Sequence, residues 1–322
     1  MKRIVALTMA LMMLLMLTAC GSTAAPAPAD DGKYTIGICQ LITHDALDAA
    51  TKGFQDAVIA GLGEENVTFD LQNAAGDSGT CASIANAFVA AEVDLIMANA
   101  TPALQNAQAA TADIPILGTS VTEYGVALDI QDFNGTVGGN VSGTSDLAPL
   151  DEQAAMLQEW FHDAKNVGLL YCSAEPNSKY QVDTIEALLT GMGYTCQMFA
   201  FADSNDMPAV TNAACDFSDV IYVPTDNAVA SSTDIIDGIC RAAGIPIIAG
   251  EEGICAGCGV ATLSISYYDL GYKTGEMAVQ ILKGEADIAT MEIAYAPATP
   301  KYNADICADL GLTAPEGYEA IG

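Results

Sequence analysis

Apolar and polar positions along this chain follow two rhythms that alternate from about residue 34 onward. Short runs rich in β-branched and other apolar residues at 34–39, 67–72, 93–98 and 115–118 read as strands, and a second series follows at 167–172, 194–199, 220–223, 246–249 and 260–264. Between them, apolar residues recur at helical spacing. Ala46, Leu47, Ala50, Phe54, Val58 and Leu62 form one stripe that Gly61 or Gly63 stops, and Val182, Ile185, Leu188 and Leu189 form another before Gly191 and Gly193. Repeated strand–helix units predict parallel sheets covered on both faces. The two series also echo each other. Asp94-Leu95-Ile96-Met97 leads through a helix to Ile114-Pro115-Ile116-Leu117, as Asp219-Val220-Ile221-Tyr222 leads to Ile245-Pro246-Ile247-Ile248. The pattern is α/β, with two doubly wound domains whose facing strand ends make a cleft.

The N-terminus follows another rule. Lys2 and Arg3 precede an unbroken apolar run from Ile4 to Leu17, too short to span a bilayer comfortably and suited to a secretory signal. Leu17-Thr18-Ala19-Cys20 then matches a lipobox, which makes residues 1–19 a signal peptide and Cys20 the lipidated residue. Residues 20–33 are small, Pro-rich and polar, the composition of a tether that holds a folded body off a membrane surface. The expected location is therefore extracytoplasmic and lipid-anchored through Cys20.

Charge and cysteine content narrow the options. Ten basic residues face 41 acidic ones, and removing Lys2 and Arg3 with the signal leaves 8 against 41, a net of −33. Nucleic acid and anionic lipid would be repelled by such a chain. Of ten cysteines, nine remain after Cys20, an odd number without regular spacing, which argues against a disulfide scaffold. Cys39, Cys172 and Cys196 sit in apolar runs as small core residues. Cys255-Ala-Gly-Cys258 is a lone CxxC; Gly257 and Gly259 are expected to break any helix there, leaving a loop with a disulfide or idle thiols. No metal site or cofactor is expected.

Chemistry should lie in the loops after the strands. Thr101-Pro102 follows one strand with Thr101 as N-cap and Pro102 opening the helix, so free amides there suit a carboxylate. Thr119-Ser120 ends the next strand with two hydroxyls. Asn177-Ser178 occupies the matching loop of the second domain, and Pro224-Thr225-Asp226-Asn227 and Gly250-Glu251-Glu252-Gly253 follow two further strands. Asp226 and Glu251 are acids able to pair with an ammonium group. No G-x-S-x-G, P-loop, HExxH or kinase signature is present, so an enzyme is not expected. Of two histidines, His44 falls in an expected site loop and His162 reads as a packing residue at the end of a helix.

These motifs, taken in order, resemble the ABC transporter substrate-binding lipoproteins of the tryptophan/tyrosine (TrpX-like) kind, over about Tyr34 to Leu312. The residues that carry the resemblance are Ile36-Gly37-Ile38-Cys39-Gln40, His44, Ala46-Leu47-Asp48, Gln72-Asn73-Ala74, Ala100-Thr101-Pro102-Ala103, the run from Gly138 to Asp146, Asn177-Ser178, Val223-Pro224-Thr225-Asp226-Asn227, Gly250-Glu251-Glu252-Gly253 and Tyr267-Tyr268-Asp269-Leu270-Gly271. The chain departs from the family pattern at Thr43-His44-Asp45 and at Ser120 to Tyr124. The resemblance implies a type I periplasmic-binding-protein fold: two Rossmann-like domains with a hinge of three crossovers, near Ser145, Ser266 and Tyr295. One lobe would be 34–145 plus 267–294, the other 146–266 plus 295–322. It implies an amino acid ligand, tryptophan or tyrosine, with ABC permease subunits as partners of a monomer. Asp226 or Glu251 would take the ammonium, Thr101 and Ser120 the carboxylate, and Tyr267 would flank the side chain. Gln40, Thr43, His44, Asn177, Ser178, Thr225 and Asn227 complete the expected site. Two other readings stay open: a receptor presenting ligand to a membrane sensor, and a binding protein for a sugar or nucleoside.

Overall fold

The structure is a computed structural model that describes residues 32–321. The apolar leader, Cys20 and nearly all of the expected tether lie outside the described residues. Among the described residues no helix is long and apolar enough to cross a membrane.

Two sheets organise residues 34–321. The first has the order β2 (Val67–Asn73), β1 (Tyr34–Gln40), β3 (Leu95–Asn99), β4 (Ile116–Val121), β5 (Val141–Ser145) and β11 (Ala294–Tyr295), all parallel. The second has the order β7 (Thr195–Phe201), β6 (Asn166–Cys172), β8 (Val220–Val223), β9 (Ile247–Ala249), β10 (Ala261–Ser264), β12 (Thr299–Tyr302) and β13 (Glu319–Ala320). In it only the β10–β12 pair is antiparallel. The chain passes between the sheets three times, after β5, after β10 and after β11.

Both sheets reverse direction of winding at a central strand. In the first, the switch falls between β1 and β3; in the second, between β6 and β8. Loops at such a point leave in opposite directions and open a crevice beyond the carboxyl ends. The loops after β1 and β3, and after β6 and β8, hold most of the residues that the motif pattern singled out.

Helices cover the sheets: α1 (Asp45–Leu62), α2 (Ser78–Ala90), α3 (Thr101–Ala110), α4 (Tyr124–Ala127), α5 (Leu150–Trp160), α6 (Pro176–Gly191), α7 (Met207–Phe217), α8 (Asn227–Ala230), α9 (Thr233–Ala243), α10 (Glu252–Cys258), α11 (Tyr267–Leu282) and α12 (Ala304–Leu310). The stripe foreseen in α1 is the buried one: Leu47, Ala50, Phe54 and Val58 are all at most 1% exposed. His162 is exposed on the turn after α5 rather than packed, because α5 ends at Trp160 and Phe161 turns back onto the core instead.

Strand β5 is a different kind of element. Its sequence, Val-Ser-Gly-Thr-Ser, carries almost no apolar signal, yet all five residues are buried. Its hydroxyls compensate: Thr144 Oγ1 lies 3.1 Å from Thr119 Oγ1 and 2.9 Å from Thr274 Oγ1, and Ser142 Oγ donates to Met291 O at 3.0 Å.

α1 and α11 approach backbone to backbone. A Cβ built on Gly271 would stand 1.9 Å from the Ala50 carbonyl oxygen, and one on Gly53 would stand 2.0 Å from that of Tyr268. Alanine at 271 would gain about 1 kcal/mol of helix propensity. Overpacking against rigid backbone costs roughly 1–3 kcal/mol and outweighs it. Gly238 in α9 has nothing within 4 Å of its notional Cβ. We expect Gly271→Ala to lower the denaturation midpoint and Gly238→Ala to raise it, both read by chemical unfolding.

Candidate functional site

The loop from β1 into α1 is braced from within. Gln40 donates to Ile42 O at 2.9 Å and Asp48 Oδ1 at 2.6 Å, and its oxygen accepts from Thr51 Oγ1 at 2.7 Å. Each arm of its amide is thus used on the loop and the first turns of α1. Thr43 is exposed and accepts from Asn73 Nδ2 at 3.0 Å. His44 instead reaches out of the first sheet's loops to the second, 3.2 Å from Asn227 Oδ1. Asn227 Nδ2 is committed to Glu175 Oε2 at 2.6 Å, so His44 Nε2 is the donor in that contact. Burial pushes the His44 imidazole below its ordinary pKa, against the opposing pull of the Asn227 bond and of Glu175, Asp48 and Asp45.

Two strand ends of the first sheet hold unusual backbone. Ala100 has φ 91° and Ser120 φ 52°, in the left-handed half of conformational space that residues with a Cβ rarely occupy. Ala100 is the N-cap of α3, and Thr101 is the first helical residue; the sequence had suggested Thr101 as the cap. No side chain caps this helix, so its first amides keep their donors. Ser120 sits where the register between β4 and β5 shifts, and its buried Oγ has no hydrogen-bond partner among the described residues.

The second sheet supplies buried acids. Glu175 accepts from Asn177 Nδ2 and Asn227 N, both at 3.1 Å, besides the Asn227 side chain, and from Ala228 N at 2.9 Å. Asp226 accepts from Cys172 N at 2.7 Å and Val229 N at 3.0 Å, with Ser178 also bonded to it. Glu251 accepts from Gly253 N at 2.7 Å and Ile254 N at 2.5 Å. Thr225 is held through its amide on Gln181 Oε1 and its hydroxyl on Gly250 O. Asp226 and Glu251, which the sequence offered for an ammonium, are therefore engaged as N-caps of α8 and α10, with their oxygens on main-chain N–H groups.

Asp146 is an acid that the motif analysis did not assign to the site. It follows β5 at the first passage between the sheets, is 4% exposed, and its Oδ2 accepts from the Tyr267 hydroxyl at 2.9 Å. Its Oδ1 has no hydrogen-bond partner among the described residues, and neither does Asn177 Oδ1. Burial pushes the Asp146 carboxyl up to about 6, and Glu175 adds to the rise while Tyr267 and Thr122 oppose it. Burial also pushes Glu251 up to about 7, with Asp146 among the charges adding to it. Asp226 is raised by burial and by Glu175. Asp146 thus feels acids of both flanking loops. The available signal in the sequence was its place at the end of the Gly138 to Asp146 run that carries the family resemblance.

Two cavities of about 630 and 400 Å³ have walls from elements of both sheets, within the range of small-molecule sites. The larger is lined by Asp45, Ala46, Glu251, Tyr267 and Lys301 among others, the smaller by Thr43, His44, Ser231 and Gly253. Neither is lined by Thr101, Ser120 or Asn177, so the unpartnered polar atoms, and not cavity size, mark the centre of the candidate site. The CxxC pair lies in helix α10 rather than a loop. A Cβ on Gly257 would meet Thr233 Oγ1 at 2.2 Å, so glycine here lets α10 pack against the start of α9. Burial raises both thiols, which keeps them protonated and unreactive.

The chain matches the family described as ABC transporter substrate binding protein over residues 35–316. It is 37% identical over 283 residues to a tyrosine-binding protein of Clostridioides difficile (strain R20291), covering 84% of this chain and 81% of that one. Among solved structures it resembles an ABC domain from Streptococcus pneumoniae in complex with L-Trp, with TM-score 0.84, 31% identity and coverage of 90% and 100%. A substrate-binding protein with adhesive properties from Clostridium difficile, in its ligand-free, open form, is more identical at 38% but superposes less well, with TM-score 0.68 and coverage of 89% and 99%.

Carboxyls raised in the fold give a signed pH dependence. At these carboxyls the folded state binds more protons than the unfolded one between the ordinary carboxyl values and about 7, so their contribution is complete below about 4 and is lost as pH rises through 6 to 7. We expect the ligand-free protein to melt at higher temperature at pH 5 than at pH 8. Asp146→Asn, which removes one of these groups, should flatten the slope, as scanning calorimetry across that range would show.

Proposed function

We propose, on the premise that this chain belongs to the family of ABC transporter substrate-binding proteins, that it captures an amino acid with an aromatic side chain between its two sheets. Asp146 Oδ1 carries this reading. An unpartnered carboxylate oxygen in a buried, acid-rich centre is a receptor for a cation, and an ammonium group would relieve the repulsion among Asp146, Glu175 and Glu251. Asn177 Oδ1 adds a second acceptor. Ser120 Oγ and the uncapped amides of α3 offer donors for a carboxylate. Cation receptors and anion donors together select a zwitterion over a sugar.

The ligand's side chain would lie toward Tyr267, and the named ligands of the relatives support tyrosine and tryptophan. The two sheets would act as lobes that hinge where the chain passes between them. The bond from His44 to Asn227, with the better superposition on the Trp-bound relative, supports a closed arrangement here. Ligand would then shift the population toward closure by binding that state more tightly. Presentation to a membrane permease, anchorage through Cys20 and a monomeric, non-catalytic role complete the proposal.

Isothermal titration with tyrosine, tryptophan, tyramine and N-acetyltyrosine tests it. We expect heat from the free amino acids and little from analogues lacking either charge; no heat from any aromatic amino acid would overturn the ligand class. Hydrogen bonds to charged groups contribute about 1.5–3 kcal/mol, so Asp146→Asn should weaken binding at least about tenfold. His44→Ala should weaken it less, by loss of one cross-sheet bond. Cys20→Ser should release the protein from membranes into the soluble fraction after cell disruption, whereas unchanged membrane association would refute the anchor.

A further inference from the structure

Outside the candidate site, the second sheet carries two thiols within reach of each other. Cys215 lies in the last turn of α7 and Cys240 in α9, and their sulfurs are 3.4 Å apart. The two helices pack side by side over the same face of the sheet, in one core cluster with Leu170, Ile221 and Ile247. Bond formation would shorten the separation to about 2.05 Å. Access differs between the two: Cys240 is 2% exposed, whereas Cys215 is only partly buried. Their shared hydrogen bond lowers the Cys215 thiol below its ordinary pKa and raises that of Cys240. The more accessible sulfur is thus also the better source of thiolate. Cys39 and Cys81 also share a thiol hydrogen bond, but both are fully buried, so no oxidant reaches them in the folded protein.

We propose that Cys215 and Cys240 are an oxidisable pair that closes into a disulfide between α7 and α9, with Cys215 as the attacking sulfur. The oxidant is a small-molecule disulfide, or the disulfide of a thiol oxidoreductase. The Cys215 thiolate attacks one sulfur of that disulfide and expels the other as a thiolate, which takes up the proton Cys215 released. Cys240 then loses its proton and attacks the Cys215 sulfur of the mixed disulfide, expelling the second thiol. The protein loses two protons and two electrons, and one small disulfide becomes two thiols. The sequence enclosed between the two cysteines includes β8, Asp226 and Asn227, so the bridge would fasten the segment that carries the cross-sheet contact to His44.

The test uses the purified protein and oxidised glutathione as probe, followed by alkylation of remaining thiols in denaturant and peptide mass mapping. The expected product joins the Cys215 and Cys240 peptides, lacks two hydrogens and reverts with dithiothreitol. Cys240→Ser should instead hold glutathione on Cys215, and Cys215→Ser should show neither bridge nor adduct at Cys240. The oxidised protein should melt higher by on the order of 5 °C, since the bridge restricts the unfolded chain. Cys215 and Cys240 both remaining alkylatable after oxidation, or Cys215 joined to a different cysteine, would overturn the proposal. None of these readouts depends on the identity of the ligand.

Discussion

Burying carboxylates without a countercharge is the constraint around which this molecule is arranged. Asp146, Glu175, Asp226 and Glu251 are all buried at the facing strand ends, and among the described residues none of them forms an ion pair. Taking an ionised carboxylate out of water costs several kcal/mol unless hydrogen bonds replace the lost hydration. The replacement comes mainly from main-chain N–H groups where strands turn into helices. Glu175, Asp226 and Glu251 each accept from two such groups, which fixes where α8 and α10 begin. Asp146 is held by side chains as well, one of them a phenol from the second passage between the sheets. The acid that keeps an unpartnered oxygen is thus also the one that ties two passages together.

That placement links chemistry to motion. Asp146 and Tyr267 belong to different passages, so their bond spans the region about which two lobes would turn. A cation at Asp146 Oδ1 would act on the same carboxyl that holds Tyr267. α11, which Tyr267 opens, lies backbone to backbone on α1, so in such a turn it would go with the first sheet.

The α/β class, the parallel strands and the strand-end loops were legible because apolar period and length report burial. Strand β5 was not, since its burial is supported by hydroxyl pairs rather than by apolar side chains, and periodicity is blind to that. β3 starts at Leu95, later than its apolar run suggests, because Asp94 turns its carboxylate onto Thr35 N at the amino end of the neighbouring β1. Within the candidate site, residue type marked Asp226 and Glu251 as acids near a cleft but not which oxygens were already bonded. Glu175 escaped notice because nothing in Ser-Ala-Glu-Pro sets it apart from a solvated loop acid. Gly257 looked like a helix breaker because the neighbouring Thr233, which makes its missing side chain an advantage, is distant in sequence.

The way these acids are held has an evolutionary side. An oxygen bonded to a backbone amide does not depend on which side chain that residue carries. Substitutions at Ala228, Val229, Gly253 or Ile254 that keep the local backbone course leave the bonds of Glu175, Asp226 and Glu251 in place. The frame of such a site can stay constant while its lining drifts, so a lineage can exchange one solute for another without rebuilding the strand ends that hold it.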